Sequence, residues 1–237
     1  MKRIVGFCVA CLLLATSQLP AQTETAAKKR SPVPENINER FLDANLDAQQ
    51  WLKRLEGESR EIYVHHQAIV DAIGIKPSES IADVGGGTGL FIGPFAEAAT
   101  DSGKVYAVDI SPKLVEYMQK RIKDEGLKNV EAILSREDSV ELPADSVDFV
   151  FVCDTYHHFE YHADMLLSIR NALRRGGQLI LIDFERIPGK SSDWLLGHVR
   201  AGKQQFKKEV MQSGFRFVEE VKIPGMSENY FLRFERP

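Results

Sequence analysis

Cysteine is almost missing from this chain: of three in 237 residues, Cys8 and Cys11 crowd the first eleven positions and Cys153 stands alone downstream. One thiol closes no intrachain disulfide, so the body of the protein is not a disulfide-stapled scaffold. Positive charge is also short. The formal net charge is −4, which argues against a general nucleic-acid binder, since such proteins carry a basic footprint. No apolar run is long enough to span a bilayer; the run from Ile4 to Ala15 stops well short of the roughly 18 residues required. Internal repeats, low-complexity tracts beyond residue 34 and spaced cysteine or histidine ligand motifs are all lacking, so the sequence predicts no metal centre.

The first residues have a pattern of their own. Lys2-Arg3, the apolar run and Ser17-Gln18-Leu19-Pro20-Ala21 form the three parts of a secretory signal, with a cut expected after Ala21. We therefore expect an exported, periplasmic or secreted protein with no stable membrane insertion after cleavage. Residues 22–34 are polar, carry Lys28-Lys29-Arg30 and end in Pro32 and Pro34, a composition that predicts a disordered tether. The rest, 35–237, has the length of one domain with a sizeable core. Its first part, 35–73, carries apolar residues at helical spacing from Ile37 to Leu55, and again over 60–73 up to Gly74.

The domain is organised around Ile81-Ala82-Asp83-Val84-Gly85-Gly86-Gly87-Thr88-Gly89. A short apolar run meets glycines that permit positive φ and let a ligand lie on the backbone, and helical periodicity resumes at Leu90. The spacing Gly85-x-Gly87-x-Gly89 departs from the dinucleotide fingerprint, whose third glycine would fall on Leu90. Strands over 104–109, 130–134, 147–154 and 178–183 alternate with helices over 90–99, 112–125 and 163–173, which predicts βαβ units and a parallel sheet. The end differs: after a helix over 203–213, two β-rich runs, 215–223 and 229–235, are separated by only five residues and must pair antiparallel. Asp109 closes its strand twenty positions after Gly89, where a carboxylate accepts hydrogen bonds from both hydroxyls of a ribose.

The acid-led glycine turn, Asp109, Asp138 before Leu142-Pro143, Cys153-Asp154 and the turn Arg174-Arg175-Gly176-Gly177 together resemble the class I S-adenosylmethionine-dependent methyltransferases. Tyr156-His157-His158-Phe159 resembles a segment of their small-molecule members. The resemblance implies a Rossmann-like, doubly wound, mostly parallel α/β sheet of seven strands ending in an antiparallel hairpin, with the 35–73 helices covering the cleft and 75–237 forming the core. It implies S-adenosylmethionine as cofactor, bound by Asp83, Gly85, Gly87, Gly89, Asp109, Asp138 and Asp154, with Asp83 serving the methionyl amino group and Asp138 the adenine. It also implies a small-molecule acceptor. Tyr63 and His66 on the cover helices are further candidates to face the ligand.

The segment 153–159 should leave the central strand over the transferred methyl group. Removing a proton from a hydroxyl or ammonium acceptor suits histidine near neutral pH, so His157 or His158 is the expected base, with Asp154 holding the cofactor or orienting the imidazole. Convergence of His157, His158, His162, Asp154 and Asp183 on a metal is disfavoured because adjacent histidines tend to diverge and no spaced ligand motif is present. Cys153 is expected to be a buried strand cysteine. Trp194 and Arg200 are expected at the rim, suited to an aromatic or anionic acceptor. The expected activity is methyl transfer to oxygen or nitrogen. A non-catalytic binding protein for an adenosine-like ligand is the alternative, raised by the export of a domain whose cofactor is made in the cytosol.

Overall fold

The computed structural model describes Met1 and residues 30–237; the expected signal segment and most of the expected tether lie outside them. Seven strands form one sheet in the order β3-β2-β1-β4-β5-β7-β6. They are β1 Ile81–Val84, β2 Val105–Asp109, β3 Val130–Leu134, β4 Val147–Cys153, β5 Leu173–Phe184, β6 Arg216–Val221 and β7 Asn229–Glu235. β3, β2, β1, β4 and β5 run parallel, and β7 enters antiparallel between β5 and β6. The doubly wound order and the terminal hairpin follow the expectation from sequence.

Every residue of β1 is buried, as a central strand covered on both faces requires. Its inward-facing neighbours divide between two apolar clusters: Val84, Val150 and Leu181 on one side of the sheet, Ile81, Phe151 and Ile182 on the other. Helices α5 Ile92–Ala99, α6 Pro112–Asp124, α7 His162–Ala172 and α9 Lys203–Gln212 cover the two faces. α6 starts where proline at its first position and the Ser111 hydroxyl, which accepts from the Leu114 amide, satisfy its free N–H groups.

Three elements differ from expectation by more than a residue or two at an end. The first cover helix is two, α1 Glu39–Leu42 and α2 Ala48–Leu55, because Asp47 caps a new start by accepting from the Gln49 amide. The second is also two, α3 Glu61–Val64 and α4 His66–Ile73, parted at His65. β5 begins at Leu173, which pairs with Val147; the ladder resumes at Gln178 with Phe149, so the Gly176-Gly177 turn is looped out within the strand.

The part of the expected tether that is described is docked. Ser31 and Val33 are buried, the Ser31 hydroxyl meets His162 Nδ1 at 2.7 Å, and Arg30 pairs with Glu160 at 2.8 Å.

Candidate functional site

The carboxyl ends of β1, β2, β4 and β5 open on one cavity of about 530 Å³, a size usual for sites that bury a small ligand. It sits at the switch in strand order between β1 and β4, where open α/β sheets bind ligands. The cover helices roof it. Leu55 of α2 lies over the glycine turn, and Glu56 just beyond accepts from the Thr88 hydroxyl and pairs with Arg121, both at 2.8 Å. Arg60 reaches Asp154 at 2.5 Å. Glu61 accepts from the backbone N–H groups of Ser227, Glu228 and Asn229, tying α3 to the terminal hairpin.

The turn is built as its glycines require. Gly85, Gly87 and Gly89 have φ of 77°, 58° and 83°, a region costly for residues with a Cβ. A Cβ on Gly85 would lie 2.3 Å from the Thr155 side chain, whereas one on Gly87 would point toward Leu55 at 3.1 Å. Gly85 thus packs against the β4 end of the site, and Gly87 faces the roof. The Gly87 N–H donates to Asp109 Oδ2 at 2.9 Å and the Ser111 N–H to Oδ1 at 2.8 Å. Asp109 orders the turn and holds Ser111, the residue that caps α6, and its carboxylate keeps acceptor capacity for a ligand.

Asp83, beneath the turn, is 3% exposed, and its Oδ2 has no hydrogen-bond partner among the described residues. Burial, with the Asp109 charge second, raises its pKa to about 7. Burial likewise raises Asp109 to about 6, against the backbone donors that lower it. A buried carboxylate oxygen without a donor, next to a second carboxylate, makes this end of the cavity a place for a cation.

Loop residues Ser135, Arg136 and Glu137 line the cavity beyond β3, while Asp138 is half-buried behind them. The loop is the one expected, and the acid of it that lines the cavity is Glu137. Tyr63 and His66 do not line the cavity: they stack on each other at 5.9 Å. Arg200 is likewise turned away, with its side chain 2% exposed in an ion pair with Glu209 at 2.6 Å. The Cys153 thiol is pushed well up by burial and stays protonated.

At the other end of the cavity, Asp154 sits at φ 49° and is held by Arg60 and by the Asn229 amide at 2.6 Å. Burial raises its pKa to about 6 in spite of the arginine. It does not orient an imidazole. That role falls to Asp183, fully buried at the end of β5, which accepts from His157 Nδ1 at 2.9 Å and from the His157 and Phe184 amides at 3.2 and 2.8 Å. Because the carboxylate only accepts, Nδ1 carries a proton, and it is Nε2 that presents a lone pair in the neutral ring.

His158 is fixed in the same way. The Asn38 amide group donates to His158 O and to Glu160 Oε1, both at 3.1 Å, so its oxygen must accept from His158 Nδ1 at 3.0 Å. Its Nε2 is therefore also free of hydrogen. Burial holds the His158 pKa well below its ordinary value. The two rings do not diverge: the 3₁₀ turn Tyr156–His158 brings their centroids to 4.4 Å. A third histidine, His198, joins them from α8 Asp193–His198, 5.1 Å from His157 and 5.0 Å from His158. Trp194 stacks on it at 4.8 Å, and Arg186 anchors the end of α8 by donating to the Leu196 and Val199 carbonyls. His198 was missed in the sequence because it lies some forty residues from the pair, in an insert without a motif.

Glycine turn, strand-end acids and sheet order together give the fold of the class I S-adenosylmethionine-dependent methyltransferases. Residues 82–181 match a family model described as a methyltransferase domain. The ubiquinone/menaquinone biosynthesis C-methyltransferase UbiE of Ectopseudomonas mendocina is 26% identical over 121 residues, 51% of this chain. The chain spans only 47% of that relative's length. Among solved structures, a SAM-dependent methyltransferase from Aquifex aeolicus aligns with a TM-score of 0.69 at 23% identity, over 79% of this chain and 97% of that one. Phosphoethanolamine N-methyltransferase 2 of Haemonchus contortus, solved in complex with S-adenosyl-L-methionine, aligns with a TM-score of 0.68 at 15% identity, over 85% of this chain and 60% of that one. These structures share the fold.

Proposed function

We propose that the chain is a methyltransferase that holds S-adenosylmethionine at the β1–β2 end of the cavity and a small-molecule acceptor at the histidine end. The observation that carries this reading is the partnerless buried Oδ2 of Asp83 beneath a glycine turn that Asp109 orders. S-adenosylmethionine brings an ammonium and a sulfonium to the end where carboxylates lack cations, and supplies an electrophilic methyl group. Asp83 would receive the ammonium, Asp109 the ribose hydroxyls, and the 135–138 loop the adenine. At the far end Phe41, Phe184 and Trp194 stand around the three histidines, walls suited to a flat acceptor. In the metal-free protein His157 takes the acceptor's proton at Nε2, with Asp183 behind it. That chemistry favours an oxygen or nitrogen acceptor; the C-methyltransferases among the relatives match only about half of this chain.

Titration calorimetry with S-adenosylmethionine tests the reading. Wild-type protein should bind one equivalent, and Asp109→Ala should weaken binding by about 1.5–3 kcal/mol, the span for hydrogen bonds to a charged group. No binding by the wild type would overturn the assignment. Affinity should also depend on pH, because the cation needs ionised partners. Asp83, with a pKa of about 7, and Asp109, with about 6, become neutral as pH falls. Between pH 8 and pH 5 the affinity should drop roughly 100-fold for Asp83 alone. The ligand-free protein behaves oppositely: both pKa values lie above the unfolded carboxylate range. The stability they contribute is full below about pH 4 and is lost as pH rises through 6 to 7. Stabilisation by ligand in a thermal melt should therefore be larger at pH 8 than at pH 5.

We further propose export of the chain, on the pattern of residues 1–21. Amino-terminal sequencing of protein from its native host should begin at Gln22. An intact Met1 on cytosolic protein would remove this proposal.

A further inference from the structure

We propose that His157, His158 and His198 form a binding site for one divalent transition-metal ion of the zinc type, with its open coordination position facing the acceptor. The inference rests on the methyl-transfer reading for its purpose and on geometry for its existence. One ring nitrogen from each of the three lies within 4.8 Å of the others. Zinc–nitrogen bonds of about 2.0–2.1 Å in a tetrahedral site place ligand nitrogens about 3.3 Å apart. Metal uptake would draw the three nitrogens together by that difference.

Three further observations distinguish this group from a chance cluster. Two of the histidines have their other nitrogen already committed as a donor, His157 to Asp183 at 2.9 Å and His158 to Asn38 at 3.0 Å. Carboxylate or amide acceptors behind the ring fix the tautomer and leave Nε2 as the ligand atom, which is how metal-bound histidines are usually held. The Asp183 carboxylate, fully buried behind His157, also supplies a negative charge to balance the ion. Finally, the insert carrying the third histidine is fastened in place: Arg186 grips the end of α8 through two carbonyls at 2.7 and 2.9 Å, and Trp194 stacks on the His198 ring.

Three neutral imidazoles and an open fourth position are the donor set of a catalytic zinc centre, where the ion lowers the pKa of whatever it binds. The acceptor class that follows is a thiol or an acidic hydroxyl, bound to the ion as its anion. On binding, the acceptor's S–H or O–H bond breaks and the proton leaves to solvent. The lone pair so freed forms the new bond to the methyl carbon as that carbon's bond to the sulfonium sulfur breaks, its electrons staying on sulfur. With the ion in place, His157 is a ligand and the ion replaces it as the activating group.

The test is cobalt(II) and zinc(II) titration of the full chain without an affinity tag, at pH 8 with no methyl donor or acceptor present. Wild-type protein should take up one equivalent, with visible d–d bands for cobalt that zinc abolishes. His198→Ala should weaken uptake more than 10-fold while leaving S-adenosylmethionine affinity unchanged, which shows the fold intact. Asp183→Asn should weaken uptake by about 10- to 100-fold, the range for a partner that acts through a ligand. Absence of uptake by the wild type, or equal uptake by His198→Ala, would overturn the site. Neither result would touch the methyl-donor reading, which stands or falls on S-adenosylmethionine binding.

Discussion

Gly87→Val should abolish S-adenosylmethionine binding and leave the sheet folded. Gly87 has φ 58°, its Cβ direction points at Leu55 of the roof, and its N–H is the group that Asp109 holds. A β-branched side chain there costs on the order of 1–3 kcal/mol in backbone strain and fills the space between turn and roof, where the ligand must lie. Isothermal titration should find no measurable binding, with a far-ultraviolet spectrum like that of the wild type. Gly85 makes the contrast: a Cβ there would meet Thr155 at 2.3 Å, so its substitution should show first in the melting temperature. Should Gly87→Val bind as tightly as the wild type, the cofactor does not lie on this turn.

The second large effect is catalytic. His157→Asn keeps a donor toward Asp183, because the asparagine amide nitrogen stands close to the position of Nδ1, but it removes Nε2. Turnover should fall by about 10²–10⁴-fold, the usual loss for a general base or for the ligand of an activating ion. S-adenosylmethionine affinity should change little. Alanine would be the poorer choice, since it strands a buried carboxylate. Screening small phenols, thiols and amines for methyl transfer supplies the assay. A variant that turns over normally would leave His157 a packing residue and alignment alone as the source of rate.

The end of the cavity built on the glycine turn was readable from the sequence because it is local. A strand, a glycine turn and an acid twenty residues on are all set by nearest-neighbour rules, and β3 and β7 matched their expected spans to the residue. The acceptor half was not. Asp154 and Asp183 both end parallel strands, and nothing in one dimension says which meets His157; the answer depends on the β4–β5 register, which pairs Cys153 with Ile182. The divergence expected of His157 and His158 failed because a 3₁₀ turn, tighter than the α-helix, sets their rings side by side. His198 and the inward turn of Arg200 depend on how one insert folds back, and that Glu137 lines the cavity with Asp138 half-buried behind it depends on the course of one loop. Each is a tertiary fact.

The roof has a consequence for tempo. Glu56 with Thr88 and Arg121, Arg60 with Asp154, and Asn38 with His158 fasten residues 38–60 to the glycine turn, to α6 and to the segment after β4. A ligand lying beneath these contacts would leave more slowly than one on an open ledge, because the roof covers part of the cavity. Loosening any one of them should shorten its stay.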